Sequence, residues 1–122
     1  MNNRIMLKGL GHLNLKVSNV KRSVQFYCEV MGMDELENDL PRRSFLTVGD
    51  DLLTLEKTAR GICPWGFHFG FVMENDKEVT RWAERLREKG ILIDEKVVEG
   101  RGRSIYFNDP DGYTIEIFYV ND

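Results

Sequence analysis

The sequence predicts an α+β fold made of two tandem β-α-β-β-β units. Three observations carry that prediction. Two alternating runs each open on a histidine, His12 in HLNLKV and His68 in HFGFV. Each is followed by apolar residues at helical spacing that close on a glycine, Gly32 and Gly90. Each half then ends in a strand of matching wording, Leu53-Thr54-Leu55-Glu56 against Tyr113-Thr114-Ile115-Glu116. The intervals agree and keep one order: 56 positions from His12 to His68, 58 from Gly32 to Gly90, 60 from Glu56 to Glu116.

The elements follow in order. In the first run Leu13, Leu15 and Val17 alternate, so they share one strand face and His12 and Asn14 take the other. Val20, Val24, Tyr27 and Met31 then recur at helical spacing, with Ser18 or Asn19 as the N-cap and Gly32 as the stop. Strand-like runs near 34–38, 43–48 and 52–57 complete unit one, about residues 8–57. The segment from Thr58 to Trp65, with Gly61 and Pro64, reads as the joint. Unit two, about 66–122, repeats the pattern. Phe69 and Phe71 alternate after His68, and Val79, Trp82, Ala83 and Leu86 form the helical stripe. Asn75 or Asp76 is the cap, and strands follow near 91–97, 103–107 and 113–120. A chain of 122 residues, 42% of them hydrophobic, suits one compact domain over residues 1–122.

Composition narrows the function. The net charge of −3 comes from intermixed acidic and basic residues, so there is no basic stripe to steer the protein toward nucleic acid. No apolar run approaches a membrane span, and MNNRIMLKGLG lacks the apolar core of a secretion signal. The two cysteines, Cys28 and Cys63, are too few for a disulfide framework and read as reduced thiols of a cytoplasmic protein.

Two sheets each covered by one helix leave their other faces open, and set together they would curve around a shared cleft. Leu13, Leu15, Leu53, Leu55, Phe69, Phe71, Ile115 and Ile117 face the helices in this scheme. His12, Asn14, Thr54, Glu56, His68, Thr114 and Glu116 face the cleft. The chain has only two histidines, and both fall in the same slot of the repeat. Two imidazoles and one or two carboxylates form a donor set for a divalent ion such as zinc, nickel, manganese or iron(II). Coordination positions left open would admit substrate oxygens or water. Against this stands the plain alternative for each residue, a half-buried strand histidine or a solvated glutamate. Glu116 fits that alternative least, because a charge among Ile115, Ile117 and Phe118 needs a partner.

Three segments, GLGHLNLKVSNVKRSVQFYCEVMGM, GFHFGFV and GRSIYFNDPDGYTIEIF, together resemble the vicinal oxygen chelate superfamily. That group includes glyoxalase I, bleomycin-resistance proteins, fosfomycin-resistance enzymes, methylmalonyl-CoA epimerase and extradiol dioxygenases. The resemblance implies paired β-α-β-β-β units, a homodimer, and one divalent metal held by His12, His68 and Glu116. Glu56 matches the position where glyoxalase I-like members carry a fourth ligand. It also implies a metal-dependent enzyme that chelates vicinal oxygens of a small substrate and stabilises an enediolate-type intermediate, with Glu116 or Glu56 moving the proton.

Two further enzymatic readings compete. Ile105-Tyr106, Asp109-Pro110-Asp111-Gly112 and Glu116 resemble the closing signature of extradiol dioxygenases that use iron(II), with Tyr106 facing substrate. The histidine expected upstream of that tyrosine is absent from Val97-Val98-Glu99-Gly100. Gly102-Arg103-Ser104-Ile105-Tyr106-Phe107 resembles the corresponding segment of fosfomycin-resistance enzymes, where Arg103 could meet a phosphonate. Six residues follow Glu116, fewer than that comparison leads one to expect. A non-enzymatic member would sequester a drug without metal. Trp65, Phe45, Tyr106 and Phe118 could line an apolar pocket for a small molecule or simply pack the core. Arg42 and Arg43 could recognise an anionic substrate but read first as protection of a strand edge, and KEVTRWAERLREK reads as a solvated helix face. The Asp109-Pro110-Asp111-Gly112 turn is explained by backbone geometry.

Overall fold

The structure, a computed structural model, describes residues 4–98 and 102–121. Met1 to Asn3 of the N-terminal segment, and Glu99 and Gly100 of the window weighed for a histidine, lie outside the described residues. The chain divides into two compact units, with the boundary between Ala59 and Arg60.

In the first unit, β1 (His12–Val17) leads into α1 (Val20–Gln25), followed by a single π-helical turn, Phe26–Val30. Then come β2 (Asp34–Asp39), β3 (Arg43–Val48) and β4 (Asp51–Lys57). Asn19 caps α1, its Oδ1 accepting a hydrogen bond from the Arg22 backbone N–H at 3.0 Å. The buried residues of this helical stretch are Val20, Ser23, Tyr27 and Met31. Ser23 sits deeper than Val24, while Val20, Tyr27 and Met31 keep the inward places that helical spacing predicts. The sheet order is β1-β4-β3-β2, with β1 and β4 parallel and the other pairs antiparallel. Leu15, Val17, Leu46, Leu53 and Leu55 fill the face under the helix.

The second unit repeats this plan with β5 (His68–Val72), α2 (Asp76–Glu88), β6 (Asp94–Val98), β7 (Gly102–Asn108) and β8 (Thr114–Val120). The order β5-β8-β7-β6 again has one parallel pair, β5 with β8. Asn75 caps α2 by accepting from the Glu78 backbone N–H at 3.0 Å. Val79, Ala83 and Leu86 meet Ile105, Phe107, Ile115 and Ile117 beneath α2. Trp82 is half-buried, with the Arg85 guanidinium 5.8 Å from its ring centre. The expected strand at 91–97 begins three residues late, at Asp94.

Two local features hold the second sheet in shape. At the start of β7, Gly102 has φ +145°, and a Cβ there would lie 2.1 Å from the Tyr119 carbonyl oxygen. Only glycine fits that approach. Between β7 and β8, the buried Asp109 carboxylate accepts hydrogen bonds from the Asp111 and Tyr113 backbone N–H groups, each at 2.9 Å. Backbone geometry therefore explains only part of this turn, and Asp109 organises the rest. Burial raises the Tyr113 phenol, aided by the negative charges of Asp109 and Asp111.

The cysteines are free, Cys63 exposed and Cys28 half-buried. Burial first, then the nearby acids Glu35, Asp34 and Glu29, pushes the Cys28 thiol up. That arrangement keeps the thiol protonated and opposes a nucleophilic role.

Ile117→Ala removes a side chain with no exposed surface. It should lower the unfolding free energy by about 2–5 kcal/mol, read from urea denaturation followed by far-ultraviolet circular dichroism. Because only the thiolate reacts, iodoacetamide should modify Cys63 first at neutral pH and Cys28 more slowly. The Cys28 rate should still be climbing at a pH where an ordinary thiol has levelled off, as mass spectrometry would show.

Candidate metal-binding site

Strand period places one set of side chains in the second unit away from the helix. Along β5 these are His68 and Gly70, along β8 Thr114, Glu116 and Phe118, and along β7 Ser104 and Tyr106. The parallel register pairs His68 with Thr114 and Gly70 with Glu116. The antiparallel register pairs Tyr106 with Glu116 and Ser104 with Phe118.

The His68 and Glu116 side chains meet on this face. His68 Nε2 lies 3.4 Å from Glu116 Oε1. The other carboxylate oxygen, Oε2, accepts a hydrogen bond from Ser104 Oγ at 2.6 Å. The Tyr106 ring stands edge-on to the imidazole, with centres 6.1 Å apart. The His68 side chain is 57% exposed and that of Glu116 only 17%, so the acid is sheltered while the imidazole is open to a ligand.

Two residues without an assigned role at the sequence level complete the arrangement. Ser104 fixes the rotation of the Glu116 carboxylate. Gly70 lies beside Glu116 in the register, where a Cβ would meet the Glu116 carbonyl oxygen at 3.1 Å, its Cβ at 3.2 Å and the Phe118 ring at 3.2 Å. The signals were present in the sequence: Ser104 alternates with Tyr106, and a glycine inside a strand marks a close approach.

The first unit is built differently. His12 pairs with Leu52, Asn14 with Thr54 and Lys16 with Glu56. Relative to its histidine, the position occupied by Glu116 in the second unit is occupied by Thr54 in the first. Glu56 shares the face expected for it but sits two residues further along, where the second unit has Phe118. Its carboxylate is engaged by the Lys16 ammonium and lies 3.6 Å from Arg43 Nη2. A metal ion there would face two positive charges, and Arg43 is more than edge protection. His12, Asn14 and Phe45 do share the open face, with Thr54 between Asn14 and Phe45.

Arg103 departs from expectation in its facing. It projects on the helix side, where Nη1 lies 3.1 Å from Glu95 Oε1 and Nη2 donates to Thr80 Oγ1 at 2.5 Å. It ties α2 to the sheet and does not share the face of His68. Trp65 lies in the loop before β5 and is 91% exposed, so it lines no pocket within its unit.

Within either unit, among the described residues, no three His, Cys, Asp or Glu side chains gather as a metal cluster. His68 and Glu116 nonetheless fit two places of a divalent-ion donor set. They offer an imidazole nitrogen and a carboxylate oxygen side by side, and among the described residues no lysine or arginine pairs with the carboxylate.

Ser104→Ala should weaken binding of Mn²⁺ or Zn²⁺ roughly 10–100-fold in calorimetric titration, since it releases the carboxylate from its orienting hydrogen bond. Ser104→Thr, which keeps the hydroxyl, should retain most of the affinity. Thermal unfolding of the metal-free variants should stay close to wild type.

Comparison with known proteins agrees with this architecture. Metallothiol transferase FosB of Staphylococcus haemolyticus is 30% identical over 122 residues, covering 92% of this chain and 84% of FosB. Glutathione transferase FosA of Serratia marcescens is 34% identical over 118 residues, covering 92% and 81%. The crystal structure of the fosfomycin resistance protein FosX from Listeria monocytogenes superposes with a TM-score of 0.79 at 25% identity, covering 93% of this chain and 94% of FosX. With residues 9–117 matching its family model, the chain belongs to the Glyoxalase/Bleomycin resistance protein/Dioxygenase superfamily.

Proposed function

We propose that this chain is a divalent-metal-dependent enzyme that binds a small substrate through neighbouring oxygens, with His12, His68 and Glu116 as its metal ligands. The observation that carries this reading is the His68–Glu116 pair, whose carboxylate is sheltered, oriented by Ser104 and, among the described residues, not neutralised by lysine or arginine. A bound divalent ion would supply Lewis acidity to those substrate oxygens.

The chain's own residues do the rest. Ser104 holds Glu116 Oε2, which leaves Oε1 directed toward the open face. From there Glu116 can take a proton from a carbon beside a carbonyl and return it to the neighbouring carbon, as a glyoxalase-type isomerisation requires. The carbon-bound proton is returned and the hydroxyl proton passes to the former carbonyl oxygen, so the atoms balance and no oxidant or reductant is needed. Tyr106, beside His68, is placed to donate a hydrogen bond to a substrate oxygen. Asn14, on the strand of His12, and Phe45 supply a polar and an apolar contact. Glu56, held by Lys16 and Arg43, takes no part in this scheme. A homodimer and a cytoplasmic location belong to the same reading, and the two free thiols suit a reducing compartment.

A second reading is favoured by the similarity to FosB and FosA, which extends over 92% of the chain. In it a thiol sulfur adds to an epoxide carbon, the carbon–oxygen bond breaks, and the oxygen takes the thiol proton. Arg103 faces the helix, so the phosphonate of fosfomycin would need another cation.

Metal analysis of purified, reconstituted protein tests the common ground. Wild type and Glu56→Gln should carry near-stoichiometric metal, while His12→Ala, His68→Ala and Glu116→Ala should lose it. Wild type that remains metal-free after reconstitution would defeat the proposal. Loaded protein assayed with a 2-oxoaldehyde–thiol adduct and, separately, with fosfomycin plus glutathione or cysteine then separates the two reactions. Size-exclusion chromatography with light scattering reads the oligomeric state.

A further inference from the structure

An open groove of about 610 Å³ lies where the chain approaches β6 along the end of β7. Ile91, Leu92 and Ile93 give it an apolar wall, and Asp94, Tyr106 and Thr114 supply polar groups. Its size is that of a small-molecule site. It adjoins the candidate metal ligands through two residues: Tyr106, whose ring stands beside that of His68, and Thr114, the β8 partner of His68.

The charge of the groove is one-sided. Among its described lining residues Asp94 carries the only formal charge, with no lysine or arginine. The Asp94 carboxylate has no ion-pair partner among the described residues. Lys96, two positions along β6, pairs with Ser104 in the sheet and does not line the groove. Asn108, also in the lining, already accepts a hydrogen bond from Thr114 Oγ1 at 3.2 Å. A ligand arm lying here meets an aliphatic wall and a carboxylate that lacks a cation.

We propose that this groove holds the distal arm of the substrate and selects an apolar arm ending in an ammonium group over one ending in an anion. The inference rests on the metal-site reading for what the other end of the substrate does, but the groove's own preference follows from its lining alone. An anionic arm would be repelled by Asp94 and find no guanidinium or ammonium in the lining, whereas an ammonium would supply the missing counter-charge. The proposal also sets the groove apart from a phosphonate site, which needs cations.

The test uses metal-free protein and two probes that lack vicinal oxygens, so its outcome does not depend on metal binding. Phenethylammonium and 3-phenylpropionate carry the same ring on chains of similar length with opposite charge. Each is titrated into ¹⁵N-labelled protein at low ionic strength and followed by amide chemical shifts. The ammonium should perturb Leu92, Ile93, Asp94 and Tyr106 and bind roughly two- to fivefold more tightly than the carboxylate, the scale of one exposed charge contact. Asp94→Asn, an exposed position on an edge strand, should bring the two affinities close together, and Leu92→Arg should reverse the preference. Equal or tighter binding of the carboxylate to wild type would overturn the proposal. So would a preference that survives Asp94→Asn, shifts that map elsewhere, or no binding of either probe. Loss of metal binding with the charge preference intact would instead count against the metal-site reading alone.

Discussion

The candidate chemistry depends on the parallel register of β5 against β8. With Gly70 opposite Glu116, the acid lies two pairs beyond His68, on the same face, and reaches back over a residue that has no side chain. β8 lies between β5 and β7, so its inward residues Ile115 and Ile117 anchor it in the core while Glu116 is held on the other face. A slip of one residue would bury the carboxylate and expose the isoleucines. The hydrophobic pattern that stabilises the sheet is therefore the same device that aims the acid. Ser104, from the other neighbouring strand, sets the last degree of freedom, the rotation of the carboxylate.

The two glutamates show how environment divides residues that look alike. Glu116 meets an imidazole and a hydroxyl, Glu56 an ammonium and a guanidinium. The first remains able to accept a cation, whereas the second is already neutralised. Repeat symmetry alone would give them one role, and the electrostatics of their neighbours give them two.

Much of the fold was legible in the sequence because its signals are local. Alternation assigned His12, Asn14, His68 and Glu116 to the open faces, and helical spacing with Asn19 and Asn75 as caps located both helices. What was not legible depends on partners distant in sequence. Leu53-Thr54-Leu55-Glu56 matches Tyr113-Thr114-Ile115-Glu116 in wording, yet where a strand stands against its parallel neighbour is settled by residues some forty positions away. In the first unit that register puts Thr54, not Glu56, at the place that Glu116 holds relative to His68 in the second. Arg103 shows a second limit. Its alternation with Ile105 and Phe107 places it on the helix side, but its likeness to a phosphonate-binding segment suggested otherwise. The π turn at Phe26–Val30 has no sequence signal that helical spacing alone could reveal.

The placement of the two tryptophans has a practical consequence. Trp65 precedes β5 and Trp82 lies on α2, so both belong to the second unit and the first contains none. Intrinsic indole fluorescence is therefore a one-sided reporter. Both indoles belong to the half that carries His68 and Glu116, and none to the half that carries His12. A single sharp emission transition would describe cooperativity within one repeat, and only a signal drawn from the whole backbone could establish that both repeats melt together.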